Sequence, residues 1–188
     1  MQIRLLRLID IFLALIGLVF SAPLLLIIMS FGLFDTGAPV FRQQRVGRHG
    51  KIFTLIKFRT MVLNTESIET HLASAKDVTL LGQFLRKNKL DELPQLWNVL
   101  KGEMSIVGPR PGLPHQKALI KARCKLNVYS VRPGITGFAQ ISGIDMSKPE
   151  LLAELDAEMI AELSVRTYFK YIYYTVIGRG RGDPINRN

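Results

Sequence analysis

The longest feature of the hydrophobic pattern is an apolar run over residues 11–34 that contains no charged residue. Its length suffices for a membrane helix, which needs about 20 residues. Pro23 stands in the middle of the run, where a proline kinks or breaks a helix. Basic residues flank both ends, and such residues prefer the cytoplasmic side of a membrane segment. We therefore expect a re-entrant hairpin with a kink at Pro23, and a straight span stays open as the alternative.

Two short strands are predicted to follow this run. Residues 40–46 lead into a glycine-containing turn at 47–50, and residues 51–61 carry β-branched and aromatic side chains. In the second strand Lys57 and Arg59 alternate with an aromatic residue, so the two cations are expected on one face. A solvated strand face explains such a pair without any chemistry. The polar segment that follows, residues 64–76, is predicted to be helical.

The middle of the chain is organised around a short predicted helix that ends at Gly102, with Pro94 in its first turn. Its apolar residues recur at three- and four-residue spacing and share one face. They are Leu93, Leu96, Trp97 and Leu100. Asp91 and Glu92 then lie at the N-terminal mouth of the helix, where free N–H groups and the helix dipole favour anions, including phosphate. From spacing alone, capping of the helix and catalysis are both open for these carboxylates.

Basic and glycine-rich segments lie on both sides of this helix. A basic cluster at 86–89 precedes the carboxylate pair, and a rigid turn at 108–111 presents Arg110. A later loop at 131–143 exposes backbone N–H groups and carries Arg132, a combination that can hold phosphate. Cations in these positions either neutralise the carboxylates, or lower their pKa values and attract a phosphate.

Three further helices are predicted towards the C-terminus. The first covers residues 113–129, and the second begins with a capping box at Ser147 and ends near Leu163. The third begins near Ser164 and mixes aromatic with basic side chains, which suits a bilayer interface and equally suits packing against the core. A basic, glycine-rich tail follows Gly178.

Composition restricts the classes of function. The 188 residues suffice for one domain or one domain with an appendage, and a net charge of +10 indicates an anionic partner such as nucleic acid, lipid headgroups or a phosphorylated substrate. A mean hydropathy of +0.20 is high for a soluble protein and points to contact with a bilayer. The single cysteine excludes an intramolecular disulfide, and three histidines disfavour a zinc site. A hard cation held by carboxylates stays open.

Four sequence blocks carry a family resemblance. They are KFRTM at 57–61, LDELPQLWNVLKG at 90–102, MSIVGPRP at 104–111 and RPGITG at 132–137, the last followed by Gln140. With the N-terminal apolar run, these blocks resemble the small monotopic phosphoglycosyl transferases, the bacterial sugar transferase family that begins lipid-linked glycan assembly. The long central block is the most specific part of the resemblance.

The resemblance implies an α+β fold in two parts. Residues 1–38 would form a re-entrant membrane helix-hairpin. Residues 39–188 would form a compact, mostly helical cytosolic catalytic domain with a small β-hairpin and interfacial amphipathic helices. This domain is expected on the cytoplasmic face of the bacterial inner membrane, with the phospholipid membrane as a partner and no role for nucleic acid.

The implied reaction transfers a phosphosugar from a nucleoside diphosphate sugar, usually a UDP-sugar, to undecaprenyl phosphate and releases UMP. In the family pattern Asp91 attacks the β-phosphorus and forms a covalent aspartyl-phosphosugar, and Glu92 with Asp91 holds Mg²⁺. The residues implied in binding substrate phosphates are Lys57, Arg59, Arg86, Arg110, Arg132 and Gln140. Such a reaction is the first membrane step in assembling O-antigen, capsule, exopolysaccharide or glycoprotein glycans. A homodimer and downstream glycosyltransferases are further expected partners.

Two positions depart from the family pattern. Ala22 precedes Pro23 where relatives often carry serine, and Ser21 stands one place earlier. Ile144 and Asp145 replace a frequent Arg-Asn pair, which leaves the identity of the sugar open. Two other classes of protein explain less. A nucleic-acid binder has no need of a carboxylate pair, and glycoside hydrolysis needs two carboxylates about 5 to 9 Å apart across the scissile bond.

Overall fold

The computed structural model describes residues 2–63 and 77–178, which form helices and short strands. The helices are α1 Gln2–Thr36, α2 Leu80–Lys87, α3 Gln95–Lys101, α4 Lys117–Lys125, α5 Phe138–Ile141, α6 Pro149–Ala161 and α7 Val165–Val176. The strands are β1 Val40–Val46, β2 Ile52–Phe58, β3 Ser105–Val107 and β4 Gly134–Thr136. The predicted mixture of helices and strands is confirmed. The helix predicted for residues 64–76 and the tail beyond Gly178 lie outside the described residues.

Helix α1 is a single helix of 35 residues, long and apolar enough to cross a membrane. Pro23 lies inside it, so the hairpin that the sequence predicts at this proline is not confirmed. A proline removes one backbone hydrogen bond, which the many remaining bonds of so long a helix can outweigh. Ser21 does not replace the lost bond, because its buried hydroxyl has no hydrogen-bond partner among the described residues.

Helix α1 packs against the rest of the fold along most of its length. Near its start Leu6 joins the core formed with α7 and β3, and Ala14 joins a second cluster with α3 and β2. Near its end Ile28 packs with the buried side chains of Phe58 and Leu85. The opposite face of the helix exposes large apolar side chains. Both ends of α1 therefore contact one folded body, and the apolar face between them is left uncovered.

A buried carboxylate fixes the first turns of α1. Asp10 accepts hydrogen bonds from Ser105 Oγ at 2.9 Å and from the Ile106 N–H at 2.8 Å, both on β3. It also accepts one from the Tyr168 hydroxyl on α7 at 2.6 Å. Burial, together with the charge of Asp10, raises the pKa of the Tyr168 hydroxyl, so this group remains a hydrogen-bond donor at neutral pH. Asp10 thus joins α1 to β3 and α7 in one network.

In the described part of the chain two pairs of strands form, and the sequence predicts the first of them. β1 and β2 pair antiparallel with Phe41 opposite Lys57, as their side-chain pattern and the glycine turn indicate. β3 and β4 pair parallel, although the sequence analysis assigns no strand to residues 105–107 and predicts a loop where β4 forms. These strands have three residues each, too few to show alternation. The two strands approach closely because Gly134 of β4 lies against Gly108, the residue after β3. A Cβ at Gly134 would overlap the backbone of Gly108.

Helix α3 ends at Gly102, whose φ of 83° confirms the predicted C-terminal stop. The predicted apolar face is partly wrong, because Trp97 is 52% exposed. The buried face carries Asn98 instead. Its side-chain amide donates to the Thr54 carbonyl at 2.8 Å and accepts from the Ile56 N–H at 3.1 Å. Asn98 thereby satisfies backbone groups of β2 and fixes α3 against that strand.

The two C-terminal helices begin close to where the sequence predicts, but one of the expected caps is wrong. The Ser147 hydroxyl donates to Asp145, and α6 begins after Lys148 without a side-chain cap. A capping box forms instead at the start of α7, between Ser164 and Thr167. Threonine supplies the second half of this box, so the usual Ser-x-x-Glu pattern does not reveal it.

The aromatic side chains of α7 divide between two environments. Tyr168 and Tyr171 are buried in the core, whereas Phe169 and Tyr173 are exposed. Core packing is therefore confirmed for the first pair. The second pair lies on a face where contact with a bilayer stays a prediction.

The packing of α2 can be tested with the Gly82→Ala variant. A Cβ at Gly82 would overlap the carbonyl of Thr60, so α2 would have to move away from the segment that follows β2. Alanine normally favours a helix over glycine by up to about 1 kcal/mol, but overpacking costs about 1–3 kcal/mol. We expect a lower melting temperature in thermal unfolding. The control is Gln83→Ala on the exposed side of α2, and an unchanged melting temperature for Gly82→Ala would contradict this packing.

Candidate active site

Asp91 and Glu92 lie in a short 3-10 turn, Leu90–Glu92, between α2 and α3. The sequence predicts them at the mouth of the next helix, but α3 begins only at Gln95, so the carboxylates occupy a turn of their own. The chain enters this turn through Lys89, whose φ of 55° is left-handed. Asp91 is 7% exposed, and none of the described residues donates a hydrogen bond to its carboxylate. The carboxylate is therefore buried, and no side chain or N–H group of residues 2–63 and 77–178 holds it by a hydrogen bond.

Burial sets the charge state of Asp91. Loss of solvation raises the pKa of its carboxyl group to about 6, and the neighbouring charge of Glu92 adds to the rise. The positive charges of Lys57, Arg86 and Arg110 act in the opposite direction but do not cancel it. The lowered pKa that such cations can produce is therefore not observed for Asp91, because burial outweighs them. At neutral pH the carboxyl group is still mostly ionised.

Arg110 forms an ion pair with Glu92, with 3.1 Å between Nη1 and Oε1. Its main chain is fixed from behind by Arg123, whose Nη1 donates to the Arg110 carbonyl at 2.8 Å. Arg123 also pairs with Asp156 at 2.6 Å, and these two residues are 1% and 2% exposed. The turn therefore presents Arg110 to the carboxylates as the sequence predicts, with support from a buried ion pair between α4 and α6.

Arg86 on α2 has one N–H donor group that no described residue accepts from. Its Nε donates to Thr60 Oγ1 at 2.9 Å, while its Nη1 is buried and has no hydrogen-bond partner among the described residues. A buried donor without a partner costs about 1–3 kcal/mol, a penalty that an oxygen of a bound phosphate would remove. The charge of Arg86 acts on Asp91, so the unpartnered donor belongs to the same site.

The two cations of β2 and its C-terminal extension differ in their relation to the carboxylates. Lys57 acts electrostatically on Asp91, and its Nζ lies 5.5 Å from the centroid of the Phe41 ring. Arg59 lies over the same ring at 5.4 Å, and its Nε donates to the Ala38 carbonyl at 2.8 Å. Phe41 thus packs against both cations on one face of the hairpin, as the alternation predicts. Of these two cations, Lys57 is the one whose charge is coupled to Asp91.

Lys89 is a site residue that sequence reasoning missed. Burial lowers the pKa of its ammonium group, Glu92 raises it and Arg110 lowers it, so the amine lies within electrostatic reach of both. The basic cluster at 86–89 gives a signal but does not tell which lysine turns towards the carboxylates. The left-handed φ of Lys89 and the exposure of Lys87 decide this, and both appear only in the folded chain.

Two predicted phosphate ligands lie elsewhere. Arg132 Nε donates to the Gly102 carbonyl at 2.8 Å, at the far end of α3 from Asp91. Gln140 Nε2 donates to the Ile135 carbonyl at 2.8 Å. No contact within the described ranges joins either side chain to Asp91, so their role with substrate phosphates stays a prediction.

The carboxylate pair suits one kind of metal ion. Residues 2–63 and 77–178 contain no group of three or more histidine, cysteine, aspartate or glutamate side chains that could hold a metal ion. Mg²⁺ does not require such a group, because it keeps several waters and is commonly bound by one or two carboxylates together with substrate phosphates. Glu92 and Asp91 repel each other in a partly buried turn, and a divalent cation would relieve that repulsion. The pair therefore fits Mg²⁺ completed by a phosphorylated ligand.

The apolar helix α1 borders this site. Ile28 packs in the same cluster as Leu90, the residue before Asp91. Nearer the start of α1, a Cβ at Gly17 would lie 2.9 Å from Leu96 of α3, so the two helices approach closely. A buried carboxylate on which three cations act thus lies beside a helix whose other face is apolar and exposed. This arrangement suits chemistry on a phosphate group that an amphiphilic molecule carries.

Comparison with known proteins gives a consistent result. A family model described as bacterial sugar transferase matches residues 1–180. The uncharacterized sugar transferase EpsL of Bacillus subtilis is 39% identical over 171 residues, which is 90% of this chain and 84% of EpsL.

Two relatives carry more specific names. The UDP-glucose:undecaprenyl-phosphate glucose-1-phosphate transferase of Escherichia coli is 41% identical over 180 residues, or 89% of this chain and 38% of that protein. The undecaprenyl-phosphate galactose phosphotransferase of Salmonella typhimurium is 38% identical over 156 residues, or 73% of this chain and 32% of that protein. This chain thus matches less than half of each of these longer relatives. The extent of the family match and the similarity to EpsL show that the chain belongs to the bacterial sugar transferase family.

Proposed function

We propose that this protein transfers a phosphosugar from a UDP-sugar to undecaprenyl phosphate and releases UMP. The observation that carries the proposal is the buried carboxylate of Asp91, which has no hydrogen-bond donor among the described residues while three cations act on it. A structural cap would be held by backbone N–H groups, whereas a nucleophile needs a free lone pair. The donor and acceptor classes come from relatives that are named for transfer to undecaprenyl phosphate.

In the first step an Asp91 carboxylate oxygen attacks the β-phosphorus of the donor. The new bond joins this oxygen to phosphorus, the bond between β-phosphorus and the bridging oxygen breaks, and UMP leaves with that electron pair. The product is an aspartyl-phosphosugar. Arg86 Nη1 supports this step because it is a buried donor that a phosphate oxygen can satisfy. Lys57 and Arg110 add positive charge that offsets repulsion between the carboxylate and the diphosphate.

In the second step a phosphate oxygen of the acceptor attacks the same phosphorus. The bond between phosphorus and Asp91 breaks, the carboxylate is restored, and the product is a polyprenol-diphosphate sugar. The packing of Ile28 beside Leu90 supports access for such an acceptor, since it places the proposed nucleophile next to a helix whose opposite face would contact the lipid.

Asp91 and Glu92 would hold Mg²⁺ together with the phosphates of the donor. When bound, the ion supplies positive charge that screens the attack of one anion on another. Glu92 is suited to this task because it is partly exposed and its ion pair with Arg110 uses one carboxylate oxygen, Oε1. The Arg110 pair fixes the orientation of Glu92 and leaves its second oxygen for a ligand.

The proposed location is the cytoplasmic face of the bacterial inner membrane, with α1 as a re-entrant anchor. Two contacts support an anchor that enters and leaves on one side. Leu6 near the start of α1 and Ile28 near its end are both buried against the same folded body. A helix that crossed the bilayer would carry one of these ends away from the catalytic domain. The reaction would then begin the assembly of a lipid-linked glycan at the membrane surface.

The first experiment measures UMP release by the full chain in detergent with Mg²⁺, undecaprenyl phosphate and a panel that includes UDP-glucose and UDP-galactose. We expect release from at least one donor, and a loss of at least about a thousandfold in Asp91→Asn because the nucleophile is removed. The control is Glu154→Gln, which removes an exposed carboxylate of α6.

Mass spectrometry of wild type with donor but without acceptor completes this experiment. A mass increase of one phosphosugar is expected on the peptide that contains Asp91, and no increase in Asp91→Asn. Because burial raises the pKa of Asp91 in the folded state, its charge destabilises the fold above about pH 6. The variant is therefore expected to melt no lower than wild type at pH 8. Activity within tenfold of wild type in a folded Asp91→Asn protein would refute the proposal.

The pH profile of kcat/KM tests the ionisation of the nucleophile. The pKa of Asp91 is raised to about 6, and only the ionised form attacks, so kcat/KM is expected to be level above about pH 7. Below pH 6 it is expected to fall about tenfold per pH unit. Circular dichroism from pH 5 to 8 controls for unfolding. A rate that stays constant down to pH 5 would exclude a carboxylate with this pKa as the nucleophile.

Lys89→Gln tests the residue that the sequence did not reveal. Removing a half-buried cation near Glu92 and Arg110 is expected to lower kcat/KM for the donor by about tenfold or more. The matched control is Lys87→Gln, which removes the same charge two residues earlier at an exposed position. Equal activity of the two variants would show that any effect comes from the net charge of this segment and not from the position of Lys89.

A further inference from the structure

Two arginine side chains meet at the C-terminal end of α3, and a third lies within electrostatic reach of one of them; the three are here called the arginine cluster. Arg7 Nη2 would lie 3.5 Å from a Cβ placed on Gly102, and Arg132 Nε donates to the carbonyl of that glycine at 2.8 Å. Arg48 Nε donates to the Ser130 carbonyl at 2.9 Å, two residues before Arg132. The cluster thus joins the start of α1, the tip of the β1–β2 hairpin and the segment that leads into β4.

This cluster is separate from the candidate active site. Asp91 precedes α3 and Gly102 follows it, so the helix lies between them. The seven residues of α3, at about 1.5 Å each, make this helix roughly 10 Å long. The cations that act on Asp91 are a different set, Lys57, Arg86 and Arg110. A ligand at the arginine cluster is therefore not the group that reacts at Asp91.

The end of α3 alone does not account for the cluster. Cations commonly bind the last carbonyls of a helix. This explains the bond of Arg132 Nε and the position of Arg7, whose Nη2 donates to carbonyls in the last turn of α3 at 2.7 and 3.3 Å. It does not explain Arg48, whose Nε donates to the Ser130 carbonyl instead. Burial and then the charges of Arg7 and Arg48 lower the pKa of Arg132, and the charge of Asp10 raises it, so Arg132 is repelled by both of the other arginines.

The neighbouring carboxylates are already in use. Asp10 lies 3.9 Å from Arg7 and accepts three other hydrogen bonds on its second oxygen. Glu103 accepts from Lys101 on one oxygen and from an amide on the other. Within the described residues, the terminal nitrogens of Arg48 and Arg132 donate no hydrogen bond. The cluster therefore has unused donors and an excess of positive charge, both of which an external anion would satisfy.

The position of the cluster indicates the source of that anion. Arg7 lies on α1 between residues that expose large apolar side chains, among them Leu5, Leu8 and Phe12. Cations at the edge of an apolar surface lie at the depth of phospholipid headgroups when that surface enters a bilayer. A guanidinium group matches the geometry of phosphate oxygens and can bind two of them at once.

We propose that the arginine cluster is a second anion site, which binds the phosphate of an anionic phospholipid headgroup. Arg48 and Arg132 supply their terminal nitrogens to the phosphate oxygens, and Arg7 adds charge from the membrane helix. The lipid ties α1, the hairpin tip and the end of α3 together at the membrane surface. Only the choice of a lipid as the source depends on the proposed placement of α1 in the membrane.

The test uses the full chain in detergent, titrated with dioleoyl-phosphatidylglycerol or dioleoyl-phosphatidylcholine, with bound lipids counted by native mass spectrometry. We expect one phosphatidylglycerol to bind more tightly than phosphatidylcholine. Arg48→Gln and Arg132→Gln are each expected to weaken it by about fivefold or more. Arg48→Lys keeps the charge but not the forked donor, so it is expected to weaken binding as well. The matched control, Lys117→Gln at an exposed position of α4, is expected to change it less than twofold.

Three outcomes would overturn the proposal. The first is binding of phosphatidylglycerol by both glutamine variants as tightly as by wild type. The second is weakening of binding in Lys117→Gln equal to that in the glutamine variants, and the third is full affinity in Arg48→Lys; either of these would mean that the net charge attracts the lipid without a defined site. Competition with millimolar inorganic phosphate distinguishes the sources. Displacement means that the site recognises phosphate from either source, and resistance means that it requires the lipid. UMP release is measured separately, so failure here leaves the proposed reaction untouched.

Discussion

The burial of Asp91 is the constraint on which the rest of this structure depends. Removing a carboxylate from water beside a second carboxylate is costly, and the raised pKa of Asp91 is a measure of that cost. The cations that offset it come from segments far apart in the chain, Lys57 from β2, Arg86 from α2 and Arg110 from the turn after β3. No local segment supplies this arrangement. The tertiary fold must therefore hold the three segments in place. Gly82 illustrates how, since only glycine lets α2 approach the segment that follows β2 so closely.

Helices that carry no candidate catalytic residue also determine the geometry of the site. Arg123 on α4 binds both Asp156 on α6 and the main chain of Arg110, so the ion pair between Arg110 and Glu92 depends on a buried pair behind it. Breaking a buried ion pair typically costs about 3–5 kcal/mol, because the remaining charge has no partner. Substitutions of Asp156 would consequently affect catalysis through the position of Arg110 as well as through stability. The C-terminal helices act as a rigid support for one guanidinium group.

The sequence predicts those features that depend on local chemistry. The turn that joins β1 to β2, the stop at Gly102 and the pair of carboxylates after a basic cluster are all visible in it. Features that depend on tertiary contacts are not visible. The parallel pair of β3 and β4 requires Gly134 to lie against a glycine that is distant in sequence, and no periodicity in the sequence indicates this contact. Likewise the sequence analysis selects Arg132 as a phosphate ligand and passes over Lys89. Only the folded chain places Lys89 within electrostatic reach of Glu92, and Arg132 at the far end of α3.

Helix α1, the proposed membrane anchor, also packs into the rest of the fold. The predicted boundary after residue 38 follows the end of the helix in sequence, yet Ala14 and Ile28 complete cores whose other members belong to the catalytic part. Removing α1 would expose those cores, and removing the membrane would expose its apolar outer face. In the proposed placement a bilayer covers what the chain leaves uncovered. Asp91, next to Leu90, would then lie at the boundary between water, which supplies the proposed nucleotide sugar, and lipid, which holds the proposed acceptor.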